Sequence, residues 1–262
     1  MNKLFPLLLL LIVFIAQGSI AFAEEHSWQH DVQPYIWFPT SVEGTSTVDG
    51  GAAKLDLDAS DMADMINFAF SLRYEAWKGK FGIIVDGMYV DLEADFKDAL
   101  PAPPFSPGSS VKVEPDIEQV VVDLAGAYRL DYGKWSTDLI GGLRYTYIKQ
   151  EIELNFPSPV PTQDLGGSKD YVEPMVGARV IWALSDKWRA TLRGDMSGFG
   201  VGSGSDLTWN ALAGAAYTYS EKASIKLGYR IYDIDYSNGS GSNEFGVDLQ
   251  LHGPYLGASF SF

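Results

Sequence analysis

Residues 24–262 are predicted to form an all-β fold: a membrane-spanning antiparallel up-and-down β-barrel of ten strands, with eight strands as the alternative. Three observations predict it. The first is ten segments of alternating hydrophobicity, near 29–39, 65–77, 80–93, 116–131, 135–153, 170–184, 187–200, 206–219, 223–236 and 247–262. The second is the strict alternation of the gaps between them. Trp77-Lys78-Gly79-Lys80, Asp131-Tyr132-Gly133-Lys134, Ser185-Asp186-Lys187 and Ser220-Glu221-Lys222 are tight turns. The gaps near 40–64, 94–115, 154–169, 201–205 and 237–246 are longer and rich in Gly, Pro, Ser and Asp. A barrel with short turns at one end and loops at the other needs this alternation, and a soluble sandwich does not. The third is the end of the chain. Leu256, Ala258, Phe260 and Phe262 share one face of a strand, and Tyr255, Gly257, Ser259 and Ser261 share the other. Termini of soluble domains usually fray. In lipid no strand edge can stay unpaired, so the last strand must run to its end and close a ring.

The N-terminus has the pattern of a secretory signal over residues 1–23. Lys3 supplies the positive start, Leu4 to Ile15 the apolar core, and Ala21-Phe22-Ala23 a small-x-small cleavage site. The apolar core is too short to span a bilayer as a helix, and no later stretch reaches 18 apolar residues. The barrel domain is therefore expected over 24–262. The chain has no cysteine, so no disulfide framework is expected. Its formal net charge of −15 argues against nucleic acid as a partner.

Alternation sorts the strand residues into two faces. Leu139, Gly141, Leu143 and Tyr145 oppose Asp138, Gly142, Arg144 and Thr146; Trp188, Ala190, Leu192 and Met196 oppose Arg189, Thr191, Arg193 and Asp195. The apolar face meets lipid and the charged face the lumen. The expected lumen network is Arg73, Glu75, Asp86, Asp123, Arg129, Asp138, Arg144, Arg179, Arg193, Asp195, Lys226 and Arg230, joined by Glu173. Trp77, Trp135, Trp188, Tyr217, Tyr219 and Phe262 gather at the short-turn end as an interfacial girdle. Pro34, Pro174 and Pro254 each remove a ladder donor, and bulges are expected there, above all at Gly253-Pro254.

With the strands laid out, the chain resembles a group of Gram-negative outer-membrane β-barrel proteins to which no activity is assigned, grouped with opacity-type and porin-like barrels. The resemblance rests on Pro34-Tyr35-Ile36-Trp37, Asp86-Gly87-Met88-Tyr89-Val90-Asp91-Leu92 and Val172-Glu173-Pro174-Met175-Val176-Gly177-Ala178-Arg179. It continues through Leu184-Ser185-Asp186-Lys187-Trp188, Gly198-Phe199-Gly200-Val201-Gly202-Ser203 and Tyr229-Arg230 to His252-Gly253-Pro254. It implies an outer-membrane location. Tyr255, Gly257, Phe260 and Phe262 also resemble the C-terminal signal that the barrel-insertion machinery recognises. Outer-membrane lipid, lipopolysaccharide and that machinery are the implied partners.

No enzymatic activity and no cofactor are expected. His26 and His30 fall at the wrong end for chemistry outside the cell, and His252, near Asp248, lacks an evident serine at its level. The segment 43–64 carries Glu43, Asp49, Asp56, Asp58, Asp61 and Asp64, which offer oxygen ligands to a divalent cation or form a solvated acidic loop. Ten strands make a lumen only slightly wider than side chains alone can fill. Three functions follow: a narrow pore for small ions or polar solutes lined by the lumen arginines; a structural or recognition barrel acting through its outer loops, with the proline-rich 94–115 segment as a stiff epitope; and, third, a hydrolase.

Overall fold

The computed structural model of the chain describes residues 27–93, 96–101, 110–155, 162–202 and 204–262. The expected signal segment lies outside these residues, as do His26 and Pro103, Pro104 and Pro107 of the 94–115 segment. The strands are β1 (Gln29–Trp37), β2 (Ser41–Val48), β3 (Gly51–Asp58), β4 (Ile66–Lys78), β5 (Phe81–Glu93), β6 (Phe96–Pro101), β7 (Ser110–Asp131), β8 (Trp135–Asn155), β9 (Gln163–Ala183), β10 (Trp188–Gly198), β11 (Leu207–Ser220), β12 (Ala223–Asn238) and β13 (Phe245–Ser261), with one helix, α1 (Ala59–Met65), between β3 and β4.

Ten of these strands close a ring in the order β1-β4-β5-β7-β8-β9-β10-β11-β12-β13, and β13 returns to β1. All ring pairings are antiparallel. The ring has ten strands, so the eight-strand alternative falls away. The seam is zipped to its end: Phe262 N donates to His30 O at 3.0 Å and His30 N to Phe262 O at 3.1 Å. The alternation of faces holds around the ring. Leu139 and Leu143 are each 52% exposed on the outer wall, while Asp138, next to Leu139 in the strand, is fully buried.

The strands differ in height. β10 has 11 residues, about what a tilted strand needs to cross a bilayer. β7, β8 and β9 have 22, 21 and 21, so this side of the wall rises well beyond the membrane at the long-loop end.

The 40–64 segment, expected as a loop, is structured. β2 follows β1 up the flank of β13, β3 returns beside β2, and α1 leads into β4. Asp58 caps α1, accepting from Ser60 N at 2.7 Å and Asp61 N at 3.1 Å, while Asp61 Oδ2 accepts from Asp58 N at 3.0 Å. Met62 and Met65, one turn apart on the helix, are its buried face.

The proline expectations are corrected in two places. The β1–β4 register runs through Pro34 without a shift, and the β8–β9 register runs through Pro174. On its other side Pro34 falls where the β1–β13 pairing steps from Val32↔Phe260 to Tyr35↔Gly257, so its lost donor costs a rung and not the register. Pro174 lies just past the last β9–β10 pair, Met175↔Ser197. A bulge does occur at Gly253-Pro254, but in the facing chain. From Trp37↔Tyr255 to Ser41↔His252, β1–β2 takes one more step than β13.

Candidate functional site

Among the described residues the lumen is where charge concentrates away from water, and the register decides who meets whom. Arg73, Asp86, Asp123, Arg144 and Glu173 lie directly opposite one another from β4 to β9. Arg129, Asp138, Arg179 and Arg193 form a second row from β7 to β10. All twelve residues of the expected network, and Glu173, point inward.

At the turn end, Arg129 and Arg179 share Asp138: Arg129 Nε donates to Oδ1 at 2.7 Å and Arg179 Nε to Oδ2 at 2.9 Å. Arg179 also forks onto Glu75 at 2.5 and 2.8 Å. Trp77 belongs to this cluster and not to the girdle. It is 9% exposed, donates Nε1–H to Glu75 Oε2 at 2.9 Å, and lies under the Arg129 guanidinium, 4.0 Å from the ring centroid. Trp135, Trp188, Tyr219 and Phe262 do face outward at this end.

Midway up, Arg144 spans the lumen. It donates from Nε and Nη2 to Asp123 at 2.7 and 2.9 Å, from Nη2 to Asp195 Oδ1 at 2.8 Å, and from Nη1 to Ser197 Oγ at 3.2 Å. Asp86 accepts from Arg73 Nε at 3.0 Å and from Tyr35 at 2.9 Å. Asp195 also accepts from Arg193 Nε at 3.0 Å and Asn210 at 2.9 Å, and Arg230 donates to Asn210 at 2.7 Å. Glu173 is held by hydroxyls and an amide: Ser197 Oγ at 2.5 Å, Ser205 Oγ at 2.7 Å and Ser205 N at 2.9 Å.

Above this layer the lumen turns apolar. Arg230 stacks on Trp37 and Tyr232, 4.7 and 5.0 Å from their centroids. Trp37, Val42, Met62, Met88, Val121 and Ile148 then pack with Tyr171, Tyr232 and Val247 across the outer half. Arg144, Tyr232 and Met62 are each only 1% exposed, so no water path runs beside them. Below Arg144 a cavity of about 530 Å³ reaches the turn residues Gly133 and Glu221, so the lumen is a blind well open at the turn end.

The apolar seal escaped the sequence reading, although its signals were present: Leu55-x-Leu57 alternation, the Asp58-x-x-Asp61 capping pair, and Met62 with Met65 at helical spacing. Among the described residues no group of three or more His, Cys, Asp or Glu is placed to hold a metal. In the acidic segment Asp58 and Asp61 cap α1, Asp49 accepts from Gly166 N at 3.3 Å, and Asp56 faces Glu43 across the hairpin. His252 points outward and pairs with the Tyr229 hydroxyl at 2.5 Å, not with Asp248. His30 bonds Tyr74 at 2.7 Å and stacks on Phe262 at the turn end. Of the C-terminal quartet, Phe260 and Phe262 face outward, Tyr255 lines the well, and Gly257 lies against the Tyr35 side chain.

The bonds from the Ser60 hydroxyl, and then from the Asp61 and Ser60 amides, hold the Asp58 carboxyl below its ordinary range. A carboxyl lowered in the folded state stabilises fully above its unfolded pKa, about 3.9, and that contribution fades as pH falls through the folded value. Asp58→Ala is therefore expected to speed amide hydrogen exchange across 59–65 at neutral pH, with the difference from wild type vanishing in strong acid.

No protein-family model matches the chain, and no curated protein matches it. Among solved structures it is similar to the outer membrane protease OmpT from Escherichia coli, with a TM-score of 0.50 at 10% identity over 94% of this chain and 99% of that one. It is also similar to the translocator domain of autotransporter NalP from Neisseria meningitidis (TM-score 0.44, 12% identity, 97% and 93% covered). A third is the attachment invasion locus protein Ail of Yersinia pestis (TM-score 0.35, 12% identity, 90% and 99% covered). At these identities the likeness is one of fold, and the fold is that of the outer-membrane β-barrels.

Proposed function

We propose that this outer-membrane barrel is a closed, non-catalytic scaffold that acts through the structure it raises above the membrane. One observation carries the reading: the lumen is filled across its section, by the Arg144 ion layer and then by the apolar cluster built on Trp37, Met62 and Tyr232. That favours the loop-acting alternative over the narrow pore. A pore would keep its charged lining wet, because stripping water from unpaired charge is costly. Here the charges of the Arg144 layer are paired and buried, and the tall β7–β9 wall and the β2–β3 hairpin supply an outward platform. A non-catalytic role is supported by His252, which pairs with the Tyr229 hydroxyl on the outer wall. In this reading the partners are outer-membrane lipid, lipopolysaccharide at the rim, and the insertion machinery that recognises Tyr255, Gly257, Phe260 and Phe262.

The test is single-channel recording of the refolded barrel in a planar bilayer. Folded protein, shown by its heat-dependent gel mobility, is expected to give no discrete steps. Steps whose selectivity changes in Arg144→Ala or Arg193→Ala would restore the pore.

A further inference from the structure

The well below Arg144 has two unlike walls. The β4–β9 side fills its part of the section with arginines, carboxylates and Trp77. The β11–β13 side is cut back to Gly214, Ala216, Ser224, Gly228, Gly257 and Ser259. The space left against that low wall is the cavity of about 530 Å³, within the range of small-molecule sites.

Lys226 rises from the low wall into this space. Its Nζ donates to Gln33 Oε1 at 2.6 Å, and among the described residues no carboxylate lies within ion-pair distance of it. An ammonium has three donors, so two remain. Arg193 also lines the well: its Nε bonds Asp195 at 3.0 Å, while its Nη1 donates no hydrogen bond and stands 3.5 Å from Asp86 Oδ2, and its Nη2 stands 3.7 Å from Asp123. The acids nearby are already served. Asp31 accepts from Gln33, Ser259 and Ser261; Glu75 accepts twice from Arg179 and once from Trp77; Asp86 accepts twice from Arg73 and once from Tyr35. The hydrogen-bonding capacity left open around Lys226 is therefore donor capacity carried by a cation. Such a lining accepts an anion and offers little to a cation.

We propose that the well binds a small multivalent oxyanion, carboxylate or phosphate, with Lys226 and Arg193 as its charged anchors. The cavity is blind, so the anion enters and leaves by the periplasmic mouth, and the well is a receptor site and not a conduit. This stands apart from the outward role proposed above and does not depend on it.

The test is calorimetric titration of the refolded barrel in micelles, in a low-salt buffer, with inorganic phosphate and separately with citrate. Saturable binding of at least one is expected, and which one binds distinguishes phosphate from carboxylate. Lys226→Gln removes the charge but keeps a polar side chain beside Gln33; it is expected to weaken binding about tenfold or more with unchanged gel mobility. Lys149→Gln, at a lysine paired with Glu151 on the far side of the barrel, is expected to leave affinity unchanged. A thiol reporter, Ser224→Cys, gives an independent readout: the bound anion should slow its labelling by a water-soluble reagent. No saturable heat with either anion, or an affinity indifferent to Lys226→Gln, or labelling indifferent to the anion, would overturn the proposal.

Discussion

Arg144→Ala is expected to lower the stability of the barrel by about 3–5 kcal/mol, the usual cost of removing one partner from a buried ion network. The residue is 1% exposed, and its five donors face Asp123, Asp195, Ser197 and Met175. Alanine leaves Asp123 with Arg193 as its remaining cation, and that pair is 3.7 Å apart. A urea titration in micelles should show the midpoint fall, with the heat-dependent gel shift moving to lower temperature. Arg144→Lys keeps the charge but cannot fork, so an intermediate loss is expected. The double variant Arg144→Met with Asp123→Leu should recover much of the loss, because a buried pair replaced together by apolar groups leaves no charge stranded. Asp195 keeps Arg193 and Asn210 in that variant. A loss under 1 kcal/mol in Arg144→Ala would mean that water reaches Asp123 and that the lumen is not closed at this level. Conductance is a separate readout. Arg144→Ala is expected to stay silent, because Trp37, Tyr232 and Met62 still cover the layer from above.

The barrel was legible in the sequence because its two periods are simple. Alternation along each strand and alternation of gap length around the ring are both visible in one chain, and together they imply register. That is why alternation alone places Asp138, Arg144, Arg179 and Arg193 on the inner face. The pairing partners were not legible, since they depend on which residues face each other across strands: Arg144 meets Asp123 because both sit at one level of β8 and β7. At Trp77 two sequence signals conflict. Arg73 and Glu75 point inward, so the second residue after Glu75 must as well; tryptophan at a strand end nevertheless suggested the girdle. The seal was hidden for a different reason. Loops at the outer end are expected to be irregular, so the short alternating runs in 41–58 read as loop, although Val42, Val48, Leu55 and Leu57 mark a face.

Gly253→Ala is expected to break the seam at that point and cost the barrel at least about 3 kcal/mol, beyond the common range for an added methyl group. A Cβ there would stand 2.0 Å from Phe38 O and 2.8 Å from Thr40 N. Both are backbone atoms, and both residues are tethered: Phe38 N donates to Pro254 O at 3.0 Å and Thr40 N to His252 O at 2.9 Å. Gly141 and Gly142 supply the internal comparison. A methyl at Gly141 meets nothing within 4 Å, so Gly141→Ala should be neutral, whereas one at Gly142 would stand 2.2 Å from Leu124 O and should be costly. The Gly253 site matters more than a local clash, because the bulge it faces changes the parity of the strand. In β1 the inward residues are odd-numbered, Gln33, Tyr35 and Trp37; in β2 the buried ones are even-numbered, Val42, Ser46 and Val48. The extra residue between Trp37 and Ser41 makes that switch. If the methyl forces β2 off β13, Val42 leaves the outer cluster and the seal loosens with the seam. The expected signature is therefore a lower urea midpoint together with faster hydrogen exchange across 41–58 and 59–65. A Gly253→Ala barrel with the wild-type midpoint and unchanged exchange would mean that the facing bulge absorbs the methyl, and that the seal is held by its apolar contacts rather than by the register at the seam.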